Sequence, residues 1–139
     1  MIAITALLLG VSLFAYALFG GADFGAGVLE GLLPREHRGR VDAALSPVWE
    51  ANHVWLIAAI VIAFVGFPSV FAAASTYLHV PLSLALLGIV ARGTAFTFRH
   101  YDPEPPGEGR AYAWLFRVSS ALTPFVLGAS FVTLGSGRP

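Results

Sequence analysis

The chain has 139 residues, 57% of them hydrophobic and only 12% charged, with a mean hydropathy of +0.76. A soluble domain carries about a quarter charged residues, so half of the expected charge is missing and a membrane chain is indicated. The zero formal net charge argues against a nucleic-acid partner, which would require a basic face. The absence of cysteine excludes a disulfide framework, a thiolate metal site and a CxxCH haem attachment.

The first element begins near Ile2 and stays apolar to Leu33, interrupted by Asp23 and Glu30. Its start lacks the positive n-region of a secretory signal. Ala15–Ala17 imitates a cleavage pattern, but the apolar stretch runs on past it, so a retained helix is expected. Within it, Gly21/Gly25 and Gly27/Gly31 form small-xxx-small pairs that let another helix approach closely. The second element runs over 47–67, with Ser46 as N-cap and Pro47 in the first turn, where a missing donor costs nothing. The short GFPS corner then leads to a third element over about 69–98, expected to lie antiparallel to the second. The fourth covers 111–134.

Crossing a hydrocarbon core of about 30 Å takes roughly 20 apolar residues, and all four elements qualify. The segments PREHRGRVDAALS and RHYDPEPPGEGR read as surface loops. The expected fold is therefore all-α: a single polytopic membrane four-helix bundle over 1–139, embedded in a lipid bilayer. All eight basic residues are arginine. Arg35, Arg38 and Arg40 follow the first helix, and Arg99 and Arg110 follow the third, with Arg92 and Arg117 flanking. The positive-inside rule places both loops in the cytoplasm and both termini outside. Trp49, Trp55, Tyr101, Tyr112 and Trp114 gather toward the cytoplasmic helix ends, as an aromatic belt does.

An ionisable side chain at membrane depth costs about 2.5–3.5 kcal/mol on insertion scales, so it points inward and takes a partner. Asp23, Glu30 and Glu50 fit that description. Asp23 lies roughly 15 Å inside the cytoplasmic end of its helix at 1.5 Å per residue. Glu30 repeats its face seven residues on, near the surface. Glu50 comes about one turn into the second helix. Arg92 precedes the end of the third helix by about two turns, and Arg99 repeats its face. Interlocking ion pairs and favourable helix-end charge explain such residues structurally. A proton path explains them functionally, because a carboxylate in a partly dry site holds and releases protons near neutral pH.

His53 and His79 sit at depths within roughly 5 Å of each other on the same rise. Two imidazoles on adjacent helices suit axial haem ligation, although a satisfied polar residue is the commoner role. GGADFGAG lacks the preceding strand and the Lys-Ser/Thr of a nucleotide loop, and no nucleophile elbow is present. Nothing marks this chain as catalytic alone, and no metal site is expected in it.

Read in order, GGADFGAGVL, SPVWEANHVWL, FPSVFAAASTY and ARGTAFTFRHY resemble subunit II of the cytochrome bd quinol:oxygen oxidoreductases. That family has a Gly-x-Asp-Phe/Met-Gly-x-Gly element late in helix one and a Pro-x-Trp-Asp/Glu-x-Asn-x-x-Trp-Leu element opening helix two. A Phe/Trp-Pro corner and an Arg-x-x-x-Phe-x-Phe-Arg element ending helix three complete the pattern. The resemblance covers essentially the whole chain.

It implies a haem-free subunit in the bacterial cytoplasmic membrane, binding no cofactor of its own. The partner would be a haem-bearing subunit I, with haems b and d and the quinol site. Quinol would be oxidised on the outer side and oxygen reduced to water with cytoplasmic protons. Glu50 matches the acidic position associated with an inter-subunit proton route, and Asp23 is taken with it. Trp55 matches a position near an oxygen access path, with Trp49 beside it at the interface. Asn52, Arg92 and Arg99 match characteristic polar positions. Some members also hold a structural quinone in subunit II. Family members continue into a second set of four helices, so a C-terminal half of subunit II is a further expected partner, in a truncated or split arrangement. A purely structural membrane subunit, a small His53/His79 cytochrome b and half of a transporter remain open as alternatives.

Overall fold

The computed structural model describes residues 1–30, 32, 35–101 and 109–136, at the backbone alone for 35–43, 99–101 and 109–110. Its elements are α1 (Ile2–Glu30), α2 (Arg35–Gly66), α3 (Pro68–Tyr77), α4 (His79–Tyr101) and α5 (Gly109–Gly135). Among the described residues, four stretches are long and apolar enough to cross a membrane: Ile2–Glu30, Ala44–Gly66, His79–Phe98 and Ala111–Gly135. The all-α, four-span expectation therefore holds, with two corrections to the element bounds.

The first concerns the expected loop PREHRGRVDAALS. From Arg35 onward this segment is helical and runs without a break into the second span. Gly39 is the one strongly helix-weakening residue between Arg35 and Pro47. Pro47 lies inside α2 rather than at its start. It removes one backbone bond, to the Ala43 carbonyl, and the flanking turns keep the helix intact. Ser46 is thus a mid-helix residue, not a cap.

The second correction is that the expected helix over 69–98 is two helices, parted at Leu78. Pro81 has no N–H to give the Tyr77 carbonyl, which ends α3. Leu82 N then donates to Leu78 O at 2.9 Å, inside the first turn of α4. Within that turn Pro81 is tolerated, because its missing donor would have had no helical partner there.

The expected corner at Pro68 is present. Phe67 N closes the end of α2 on Ala63 O at 3.0 Å, and Phe71 N opens α3 on Phe67 O at 2.9 Å. Phe64 and Phe71 meet edge to face across it, with centroids 5.4 Å apart. A Cβ on Gly66 would overlap the Thr5 Cγ2 methyl, so glycine at this corner lets the start of α1 pack against it.

The chain divides into two compact units. One comprises Met1–Ala26 and Leu33–Tyr77, the other Gly27–Leu32 and Leu78–Pro139. In the first, the buried face of α1 carries Ser12, Tyr16 and Asp23, with Phe24 beside them. Ile4, Leu7, Leu8, Val11, Phe14 and Leu18 are exposed. Leaving a large aliphatic or aromatic side chain in water forgoes about 1.5–3 kcal/mol each, so this inverted pattern suits a lipid surround. In the second unit α4 pairs with α5 over a polar seam. Arg92, Ser119, Ser120 and Thr123 are all buried there, together with Ala85, Ala95 and Phe116.

Candidate functional site

In the first unit, the membrane-length part of α2 presents two different flanks near its start. One is buried. Asn52 Nδ2 donates to Asp23 Oδ2 at 3.2 Å, tying α2 to α1. Both side chains are almost fully shielded, at 2% and 1% exposure. Among the described residues Asn52 Oδ1 has no hydrogen-bond donor, and it lies 3.3 Å from where a Cβ on Gly20 would be. A side chain at position 20 would displace the amide, so glycine is what allows this approach. Asp23 is thus inward and partnered, as its place in an apolar helix requires.

The other flank carries Glu50, and here the expectation of an inward carboxylate is corrected. Glu50 is exposed on its own chain, on the same side as exposed Val54, Ile57 and Val61. Four- and three-residue steps along a helix return to one face, so the carboxylate heads an apolar stripe that the described residues of its own unit leave exposed. Asn52, two residues on, points the opposite way into the unit.

Between the two flanks stand Trp49, His53 and Trp55, all half-buried. His53 Nδ1 lies 2.8 Å from the Trp49 carbonyl oxygen. A carbonyl only accepts, so Nδ1 carries the hydrogen and donates it, leaving Nε2 with its lone pair. The Trp49 and His53 rings lie against each other, centroids 4.7 Å apart and planes tilted by 55°. His79, the other candidate in the haem reading, is exposed at the first residue of α4 and belongs to the second unit.

The second unit buries a cation. Arg92 is 2% exposed; its Nε donates to Ser120 Oγ at 2.8 Å, and its Cζ lies 4.7 Å from the Phe116 ring centroid. Phe96 stacks on the same ring at 6.2 Å. A desolvated guanidinium–aromatic contact contributes about 0.5–2 kcal/mol. Gly27 backs this cluster: a Cβ there would overlap Ser120 Oγ, 2.7 Å from Ser120 Cβ and 3.2 Å from Phe116 Cε1. A Cβ on Gly88 would meet Thr123 Oγ1 in the same way. Glu30, one of the carboxylates expected to point inward, is buried in this unit at 1% exposure. The side chain of Arg99 lies outside the described residues.

Sequence reasoning named Arg92 but missed Ser120 and Phe116, its contacts on α5. The paired serines in RVSSALTP, mid-way along an apolar helix, were the available signal. Of the glycine pairs, Gly27 makes a close approach, while Gly21 and Gly25 face open space and Gly31 is not described. Gly20, Gly66 and Gly88 serve instead at positions the spacing rule did not mark.

The family profile described as "Cytochrome bd terminal oxidase subunit II" matches residues 1–139. The chain belongs to that family. Among its relatives, the Bacillus subtilis (strain 168) cytochrome bd ubiquinol oxidase subunit 2 is 30% identical over 135 residues, covering 96% of this chain and 40% of that protein. The Escherichia coli (strain K12) cytochrome bd-I ubiquinol oxidase subunit 2 is 33% identical over 135 residues, covering 96% of this chain and 35% of that protein. The chain thus spans two fifths or less of the length of these relatives. The subunit II motif residues divide between the two units. Asp23, Trp49, Glu50, Asn52 and Trp55 lie in the first and Arg92 in the second.

Proposed function

We propose that the chain acts as a haem-free portion of subunit II in a bd-type quinol:oxygen oxidoreductase of a bacterial cytoplasmic membrane. It assembles with a haem-bearing subunit I and, as in the family pattern, with a further four-helix half of subunit II. The oxidation of quinol and the reduction of oxygen to water belong to the haems b and d of the partner. This chain's own part is to hold the partner and supply it with cytoplasmic protons.

The observation that carries the reading is the exposed Glu50 at the head of an apolar stripe on α2. A carboxylate on a membrane helix is costly against lipid and needs protein or water beside it. A partner surface laid on this flank provides both, and places an acid that gains and loses a proton at the seam between subunits. The carboxylate takes a proton from the cytoplasmic side as a carboxylic acid and returns to the anion on passing it on. The arginine-rich sequence after α1 supports a cytoplasmic position for this end of α2. Asp23 serves as a second carboxylate of the route, held by Asn52. Trp49 and Trp55 border the seam on the oxygen side of the reading. Arg92 and Arg99 belong to the polar network that keeps the helices in register.

The test is replacement of Glu50 by Gln in the complex assembled with subunit I, reading quinol-driven oxygen uptake per haem. Turnover is expected to fall by about 100-fold, the lower end of what a positioned proton-transfer group contributes, with haem content unchanged. Unchanged turnover removes Glu50 from the mechanism. Loss of haem or of complex yield, with turnover per haem intact, moves the chain to the purely structural role.

A further inference from the structure

We propose that His53 is a second proton-holding group beside Glu50, carrying the proton on Nε2. This rests on the reading of Glu50 given above and extends that route by one residue.

His53 follows Glu50 by three positions on α2, the spacing at which helix side chains are neighbours, with Cβ atoms about 5–6 Å apart. The hydrogen bond from Nδ1 to the Trp49 carbonyl fixes the tautomer, so the basic nitrogen of the ring is Nε2. That bond satisfies Nδ1 and leaves the second nitrogen as an acceptor. Trp49 lies along the ring at 4.7 Å and limits its swing. The side chain is half-buried, between exposed Glu50 and shielded Asn52. The other titratable groups whose side chains are described in this unit are the Met1 amine, Tyr16 and Asp23 on α1, Glu50 on α2 and Tyr77 on α3. Asp23 is shielded against Asn52, so Glu50 is the carboxylate that shares an accessible flank with His53.

The step balances without any further reactant. The O–H bond of the Glu50 carboxylic acid breaks as an N–H bond forms at His53 Nε2, giving carboxylate and imidazolium. The imidazolium then releases the same proton to a water or to a basic atom of the partner, and the neutral ring returns. With Nδ1 pinned, the proton enters and leaves through one nitrogen. A water or a small rotation of the ring therefore has to separate arrival from departure.

Two measurements test this. In the full chain, labelled with 15N-histidine in lipid nanodiscs, the neutral His53 ring is expected to show a protonated Nδ1 and an unprotonated Nε2. The opposite tautomer overturns the proposal without touching the oxidase reading. In the complex with subunit I, His53→Gln and His53→Ala are expected to lower oxygen uptake per haem by about tenfold, a fraction of what a fully positioned proton-transfer group supplies. Added imidazole should restore the alanine variant, a rescue that a merely structural role would not give. Normal turnover in these variants, or a loss that imidazole leaves in place, overturns the role of His53. A wild-type complex without quinol oxidase activity defeats the underlying reading as well, which separates the two failures.

Discussion

Glu50 and Arg92 face the same physical problem, a charge carried on an apolar helix, and the two units solve it in opposite ways. In the second unit Arg92 is enclosed. Its Nε is bonded to Ser120, its guanidinium covers Phe116, and Gly27 closes against the same serine. In the first unit Glu50 is turned outward on the chain's own surface. Enclosure makes a charge structural, because its hydrogen bonds are committed and its removal leaves a hole. Exposure on a membrane helix makes a charge relational, because its environment is completed by whatever lies alongside. The contrast separates a residue that holds this chain together from one that serves an assembly.

Breaking the enclosed side should have the largest effect on stability. Arg92→Ala removes a charge-assisted hydrogen bond worth about 1.5–3 kcal/mol and an aromatic contact worth about 0.5–2 kcal/mol. Thermal unfolding in detergent should show a loss of about 2–5 kcal/mol. A loss below about 1 kcal/mol would mean that the guanidinium is not held as described. A smaller effect sharpens the same point. Gly27→Ala forces a methyl onto Ser120 and should cost about 1–3 kcal/mol as overpacking. Gly21→Ala meets nothing within 4 Å and should stay within about 0.5 kcal/mol of the parent. Equal behaviour of the two glycine variants would contradict the packing assigned to Gly27.

Much of the fold was legible in the sequence because lipid imposes a length rule that few other environments impose. The four apolar runs and the proline corner at Pro68 needed no tertiary information. The errors came from proline. Pro47 reads as a helix start from sequence, yet the residues before it favour helix strongly enough to carry the chain through one lost bond. Pro81 sits in a run apolar enough to read as one helix, and the lost bond at Tyr77 is what parts it.

At the candidate site, Asp23 was legible as inward because a mid-helix carboxylate has few other places to go. Glu50 was not. Hydropathy cannot distinguish a charge turned into its own chain from one turned toward another. The direction follows only from the rotation of α2 that seats Asn52 on Asp23. Ser120 and Phe116 escaped because a contact between α4 and α5 has no spacing rule in sequence.

Because the chain contains no cysteine, a single thiol at position 50 reports directly on the central claim. In Glu50→Cys, the rate of modification by a small membrane-permeant maleimide should be high in the chain alone and fall by about tenfold or more in the complex with subunit I, as for groups in a water-excluding interface. Equal rates in the two states would place position 50 away from the partner and contradict the account.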